Sequence, residues 1–296
     1  MADRLVFAGP ASEEFGNALA TRLGLPQLAV TVREFSDTET KFRIEEHVHG
    51  ASILLVQSTY PPVDKNYMRL FLAAHHLSQE GAKVHAVIPY LGYARQDKQF
   101  MPGEVVSLGV ISHLLRSCGV LRVTTVDIHS AQGLALFPMP TYSVSAIPSL
   151  AQYFKKNLNL PAPVVIAPDF GSSRRTEAFA TLYGAEHLQF AKERDRVTGE
   201  VKIDSGDLNV SGRDVIVVDD MISTGGTIRA AAEKLRMAKA ARIVVGCVHP
   251  LLVGDAYDRI MEAGVDEIIG TNTVPSRVSK VDATEPLASY LKTVTE

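Results

Sequence analysis

The sequence predicts an α/β fold in two domains, and three observations carry that prediction. Short β-branched runs recur along the chain, segments with apolar residues three and four apart lie between them, and 296 residues exceed the roughly 100–200 of one common domain. The runs lack the alternation of a half-exposed strand, so they suit strands covered on both faces of a mostly parallel sheet flanked by helices.

In chain order, "SILLVQ" at Ser52–Gln57 is a buried strand, and Tyr67–Gln79 follows with helical spacing. "KVHAVIPY" at Lys83–Tyr90 is the next strand, Val105–Cys118 the next helix, and "LRVTTVDIH" at Leu121–His129 another strand. The second half repeats the alternation with the strand Pro163–Pro168, the helix Arg174–Leu182, the strand Arg213–Asp220, the helix Thr227–Met237 and the strand Ala241–Pro250. Pro138, Pro140 and Pro148 mark a crossover between the halves and give domains of 1–142 and 143–296. "TTVDIHSAQG" at Thr124–Gly133 and "IVVDDMISTGG" at Ile216–Gly226 echo each other, which suggests an internal duplication.

A formal net charge of −3 argues against nucleic acid as the main partner and favours a small charged metabolite. Cys118 and Cys247, each beside apolar residues, support neither a disulfide framework nor a thiolate metal site, which points to the cytoplasm. The run near the N-terminus is too short for a signal peptide, and no 20-residue apolar stretch occurs, so no membrane partner is expected.

The segment "VVDDMISTGG" sets two carboxylates before hydroxyls and glycines. Backbone amides at a helix start attract an anion that Asp219 and Asp220 would repel, so an uncharged or cationic group must lie between. A sugar phosphate meets both demands: Ser223, Thr224, Gly225, Gly226 and Thr227 for the phosphate, the aspartates for ribose hydroxyls or hydrated Mg²⁺.

Four further clusters each admit two readings. Phe35, Asp37 and Glu39 could stack on and hydrogen-bond a purine, or form an ordinary charged hairpin. Arg95 and Gln96, in "YLGYARQDKQ", suit a phosphate site or a solvated loop. "VDIHSAQ" brings Asp127, His129 and Gln132 to a strand end, and "APDFGSSRR" does so for Asp169, the better candidate for the oxygen-seeking Mg²⁺. Lys192 and Arg194, two apart near a Thr198–Gly199 turn, suit a flap closing over a polyphosphate, or a solvated charged face.

In their order and spacing, "FSDTE", "YARQD", "VDIHSAQ", "APDFG", the Lys192/Arg194 pair and "VVDDMISTGGT" resemble the ribose-phosphate pyrophosphokinase family over nearly the whole chain. The resemblance implies two domains of phosphoribosyltransferase-like fold, and transfer of a diphosphoryl group from Mg-ATP to the 1-hydroxyl of ribose 5-phosphate. It also implies ATP binding by Phe35, Asp37, Thr38, Glu39, Arg95 and Gln96, and Mg²⁺ sites at His129 and Asp169. Lys192 and Arg194 match the catalytic flap, Arg194 also reaching the sugar phosphate, which Asp219, Asp220 and Ser223 to Thr227 hold. A homodimer or higher homo-oligomer is implied too, with the hairpin around Phe35 completing a neighbouring subunit's site.

A P-loop kinase does not fit, because "GPASEEFG" lacks the lysine that such a loop needs. The alternatives are a phosphoribosyltransferase with the same acidic, glycine-rich loop, or a catalytically silent regulatory homologue. Two positions depart from the common bacterial form: Ser223 replaces an acid, and "KQFMPGEVV" at Lys98–Val106 lacks several arginines. The second departure predicts that ADP acts only by competing with ATP, for want of converging cations.

Overall fold

The computed structural model describes residues 4–169, 171–189, 191–194, 201–204 and 209–294, with backbone alone at 189, 191–194 and 201–204. The chain divides into Met1–Ser145 together with Ala283–Glu296, and Ala146–Asp282.

The first unit opens with β1 (Arg4–Ala8), α1 (Glu13–Leu23) and an antiparallel hairpin of β2 (Val30–Glu34) and β3 (Thr40–Ile44). It continues as β4 (Ser52–Val56), α2 (Val63–Gln79), β5 (Lys83–Ile88), α3 (Ser107–Ser117), β6 (Val120–Val126) and β7 (Thr141–Val144). The sheet order is β1-β4-β5-β6-β7, every pair parallel. All five residues of β4 are buried, as its unbroken apolar run requires. Helix α2 buries Tyr67, Leu70, Ala74 and Leu77, three and four residues apart, so one stripe meets the sheet.

The second unit runs α4 (Ile147–Asn157), β8 (Val164–Ala167), α5 (Ser173–Tyr183), β9 (Glu186–Gln189), then the hairpin β10 (Ala191–Arg194) and β11 (Val201–Asp204). It continues with β12 (Asp214–Ile222), α6 (Gly226–Met237), β13 (Arg242–Pro250), α7 (Ala256–Glu262), β14 (Glu267–Thr271) and β15 (Ser279–Val281). Its sheet order is β15-β14-β13-β12-β8-β9, again all parallel.

The last helix, α8 (Thr284–Thr293), returns to the first unit, whereas the sequence reading ran the second domain to residue 296. Its buried Leu287, Ala288 and Leu291 form the apolar stripe, the Arg22 guanidinium donates to the Thr284 hydroxyl at 2.9 Å, and Arg4 donates to the Leu291 carbonyl at 3.4 Å. An amphipathic stripe states that a helix must be covered but not by which sheet.

Strands and helices follow the sequence expectation closely, with one difference that matters for the site. Strand β12 extends through Met221 and Ile222, so Asp219 and Asp220 lie inside the ladder instead of ending it.

Candidate active site

In a parallel sheet the loops after the carboxyl ends of the strands gather polar groups on one side. Near the end of β12, Asp219 and Asp220 are 7 % and 3 % exposed. The Asp220 amide donates to Asp219 Oδ1 at 2.9 Å, and an Arg175 guanidinium nitrogen stands 3.8 Å from Asp220 Oδ2. Burial, and then the nearby carboxylates of Asp220 and Asp169, hold the Asp219 carboxyl well above the usual carboxylate range. Cys247, paired with Asp219 across the ladder, has its thiol pushed up by burial and then by Asp219 and Asp220. Such an accumulation of buried negative charge is relieved by a cation or by hydroxyl donors.

The chain then turns through Ser223 and Thr224 to Gly225, at φ 77° and ψ 2°, and α6 begins at Gly226. A Cβ on Gly225 would lie 2.7 Å from Ile260 Cδ1, while one on Gly226 would meet open space. Only glycine accepts both the left-handed backbone and the close approach at Gly225. Thr224, Gly226 and Thr227 are exposed, and the first amides of α6 have no partner within the helix, so this end of the strand can take an anion beside the acid pair.

After β8, Asp169 is exposed, and its Oδ1 accepts the Ser172 amide and hydroxyl, each at 3.0 Å. Thr176, one turn into α5, donates to the Ser172 and Val218 carbonyls, at 2.9 and 3.2 Å. Asp169, Arg175, Asp219 and Asp220 are thereby tied into one locality of the second unit.

In the first unit, Phe35, Asp37, Thr38 and Glu39 form the exposed turn between β2 and β3. The Phe35 amide donates to the Glu39 carbonyl at 2.9 Å, Thr38 holds a φ of 74°, and the Arg33 guanidinium sits 5.0 Å from the Phe35 ring centroid. Glu34 anchors the hairpin to α2 through Lys65 and Arg69, both at 2.6 Å. Arg95 and Gln96 are exposed in the loop after β5; the Ser107 hydroxyl donates to the Gln96 side-chain carbonyl, and the Leu108 amide to its backbone carbonyl at 3.2 Å. His129, after β6, is exposed and belongs to the first unit, whereas Asp169 belongs to the second.

Lys192 and Arg194 occupy alternate positions of β10, in register with Ile203 and Val201. The Thr198–Gly199 turn expected between them and β11 lies outside the described residues.

Residues 4–119 match the N-terminal domain of ribose phosphate pyrophosphokinase, and residues 198–294 match the phosphoribosyl synthetase-associated domain. A ribose-phosphate pyrophosphokinase of Methanothermobacter thermautotrophicus is 38% identical over 290 residues, covering 97% of this chain and 100% of its own. Another from Sulfurisphaera tokodaii is 36% identical over 279 residues, covering 94% and 95%. The chain belongs to the ribose-phosphate pyrophosphokinase family. The crystal structure of phosphoribosylpyrophosphate synthetase from Mycobacterium smegmatis superposes with a TM-score of 0.86 at 30% identity, over 98% of both chains, and with it the two phosphoribosyltransferase-like units.

Ribose-phosphate pyrophosphokinases use Mg-ATP, and the carboxylate oxygens at Asp169, Asp219 and Asp220 are of the donor type that suits that ion. No group of three or more His, Cys, Asp or Glu forms a metal cage among the described residues. The sequence places Ser172 at a helix start beside Asp169, which it holds, but does not single out Ser107, which holds Gln96, or Arg175, which faces Asp220. "GSSRR" contains Ser172 and Arg175, whereas nothing local marks Ser107, whose partner Gln96 lies 11 residues away.

Proposed function

We infer that the acid pair and glycine turn at the end of β12 form the ribose 5-phosphate subsite of a ribose-phosphate diphosphokinase. The enzyme transfers the diphosphoryl group of Mg-ATP to the 1-hydroxyl of ribose 5-phosphate, giving 5-phosphoribosyl 1-diphosphate and AMP. The observation that carries the subsite is the buried pair Asp219 and Asp220 near the end of β12, followed a few residues on by left-handed Gly225 and the start of α6. A bare phosphate would be repelled by the acids, and a bare sugar would leave the amides unused. Sugar phosphate uses both.

On this reading the segment 143–296 carries the sugar-phosphate side and 1–142 the ATP side. Asp219 and Asp220 hold ribose hydroxyls, and Ser223, Thr224, Gly225, Gly226 and Thr227 wrap the 5-phosphate. Phe35 stacks on adenine, with Asp37, Thr38 and Glu39 at its edge, and Arg95 and Gln96 reach the ATP phosphates. His129 and Asp169 serve the Mg²⁺ sites. The chemistry supplied by Mg²⁺ when bound is neutralisation of the phosphate oxygens. A bond forms between the 1-oxygen and the β-phosphorus, the bond from that phosphorus to the oxygen bridging toward AMP breaks, and AMP departs. Lys192 and Arg194 offset the negative charge redistributed in that step, and the hydroxyl proton passes to solvent.

A homodimer or higher assembly, in which the Phe35 hairpin serves a neighbour's site, is the expected working form. A cytoplasmic location fits cysteines that stay unpaired, and among the described residues no helix is long and apolar enough to cross a membrane.

Incubation with Mg-ATP and ribose 5-phosphate tests the reading. AMP formed in step with 5-phosphoribosyl 1-diphosphate supports it. Consumption of the latter with a free base, in the absence of ATP, would point to a phosphoribosyltransferase, and no turnover of either kind to a silent regulatory homologue.

A further inference from the structure

We propose that Arg259 is a positioning residue for ribose 5-phosphate, holding the Thr224–Gly225 peptide in the one orientation that leaves the loop able to accept the 5-phosphate. The proposal rests on the subsite reading given above.

Four successive carbonyls around the turn are each engaged from the protein side. Ile222 O accepts the Leu252 amide at 2.9 Å, Ser223 O the Val253 amide at 3.0 Å, and Gly225 O the Arg229 amide at 2.9 Å. The fourth, Thr224 O, accepts a side chain: Arg259 Nη2 at 3.4 Å. Arg259 is itself held by Asp255 Oδ1 at 2.9 Å, one turn earlier on the same helix. Beside it, Ile260 closes on Gly225 so tightly that an added Cβ would come within 2.7 Å. The segment 252–260 is thus a brace laid against the turn.

This matters because of the peptide it holds. Gly225, with φ 77° and ψ 2°, has the third-position geometry of a type II turn. Turns of types I and II differ mainly by a flip of the central peptide, and glycine at the third position tolerates either form. A flip of Thr224–Gly225 would exchange its carbonyl and amide, turning the negative end of a dipole to the side from which the α6 amides attract an anion. The other three carbonyls are fixed by backbone amides that no side-chain substitution removes. Thr224 O depends on Arg259, whose charge also adds favourable potential near a dianionic phosphate.

The test is steady-state kinetics on the full chain, varying each substrate at saturation of the other, with calorimetric binding of ribose 5-phosphate alone as a second readout. Arg259→Ala is expected to raise the KM and Kd for ribose 5-phosphate roughly three- to tenfold, as loss of the net contribution of one ordinary hydrogen bond does, with the KM for ATP and the Tm unchanged. Arg259→Lys, which keeps the charge but not the forked donor, should recover part of the loss. A KM for ribose 5-phosphate within about 1.5-fold of wild type in Arg259→Ala, or equal rises for both substrates, overturns the proposal. Thr227→Val separates the two claims. If it raises the KM for ribose 5-phosphate while Arg259→Ala does not, the brace alone is refuted; if Thr227→Val also leaves that KM unchanged, the subsite reading falls and takes the proposal with it.

Discussion

The two units are built on one plan, and the loop after the second strand of that plan differs sharply between them. Strands β1, β4, β5, β6 and β7 neighbour one another in the same order as β8, β12, β13, β14 and β15. Each unit sets a helix and an antiparallel hairpin after its first strand, and the bridge of Val6 with Gln27 stands where β9 pairs with β8. The counterpart of β12 is therefore β4, not β6. The echo between "TTVDIHSAQG" and "IVVDDMISTGG" joined strands that hold different places in the plan, because apolar runs ending in Asp recur by composition while connectivity is not written in any short window.

After β4 the chain reads Gln57, Ser58 and Thr59, 1 %, 0 % and 0 % exposed, and these polar groups are spent inward. The Ser58 amide donates to the Ser12 hydroxyl at 2.7 Å, the Ser58 hydroxyl accepts the Tyr90 amide at 3.0 Å, and the Thr59 hydroxyl accepts the Gly92 amide at 2.8 Å. After β12, which itself carries the two acids, the corresponding stretch has a left-handed glycine and the exposed hydroxyls of Thr224 and Thr227. One loop spends its polar groups on internal hydrogen bonds and the other leaves Thr224 and Thr227 exposed. Polar residues at a strand end thus signal function only when the fold leaves them unspent.

The largest expected effect contrasts the two hairpins. Lys192→Ala in the β10–β11 hairpin should lower kcat by roughly 10²–10³, as removal of a donor to transition-state charge does, with smaller changes in KM. A rate within a few-fold of wild type would remove Lys192 from the chemistry.

Next, Asp219→Asn should raise the KM for ribose 5-phosphate by roughly 10- to 100-fold, the loss of a charged hydrogen-bond partner being worth about 1.5–3 kcal/mol, and the KM for ATP much less. The same variant should melt at a higher temperature at neutral pH without ligand. Because the folded Asp219 pKa is raised, the native chain keeps its proton where the unfolded chain has lost it, so stability falls as pH rises above the ordinary carboxyl range. Asparagine removes that dependence. Equal kinetic losses for both substrates would contradict separate subsites.

In the first unit, Thr59→Val should behave oppositely. Leaving the Gly92 amide without its 2.8 Å acceptor should cost about 1–3 kcal/mol in denaturant unfolding, with the KM for ribose 5-phosphate unchanged. A rise in that KM would mean that the β4 loop retains a role in sugar binding.

The last effect is absent at neutral pH: an acid-range dependence that belongs to the first sheet. His85 Nε2 lies 2.8 Å from the Thr124 hydroxyl, and burial, followed by Arg122 and Arg4, lowers its pKa from 6.5 to about 3. The neutral ring is favoured only in the folded state, so its contribution is full above pH 6.5 and is lost as pH falls from there toward about 3. His85→Gln should flatten the fall of Tm across that window, and an unchanged slope would show that other groups set the acid sensitivity.

The sequence by itself determined the α/β class and most strands and helices, because unbroken β-branched runs and three-and-four apolar spacing are local consequences of burial and of backbone period. It also determined the acid pair and glycine turn at 219–227, since carboxylates, hydroxyls and glycines at that spacing have few structural uses. Tertiary structure alone decided that α8 packs on α1, that β12 carries its aspartates inside the ladder, and that β4 is its counterpart. It alone decided which polar loop is consumed by internal hydrogen bonds, and that Arg259 holds the Thr224 carbonyl from 35 residues away. Those facts concern pairs of groups distant in sequence, and no local periodicity records which distant group will supply the missing donor.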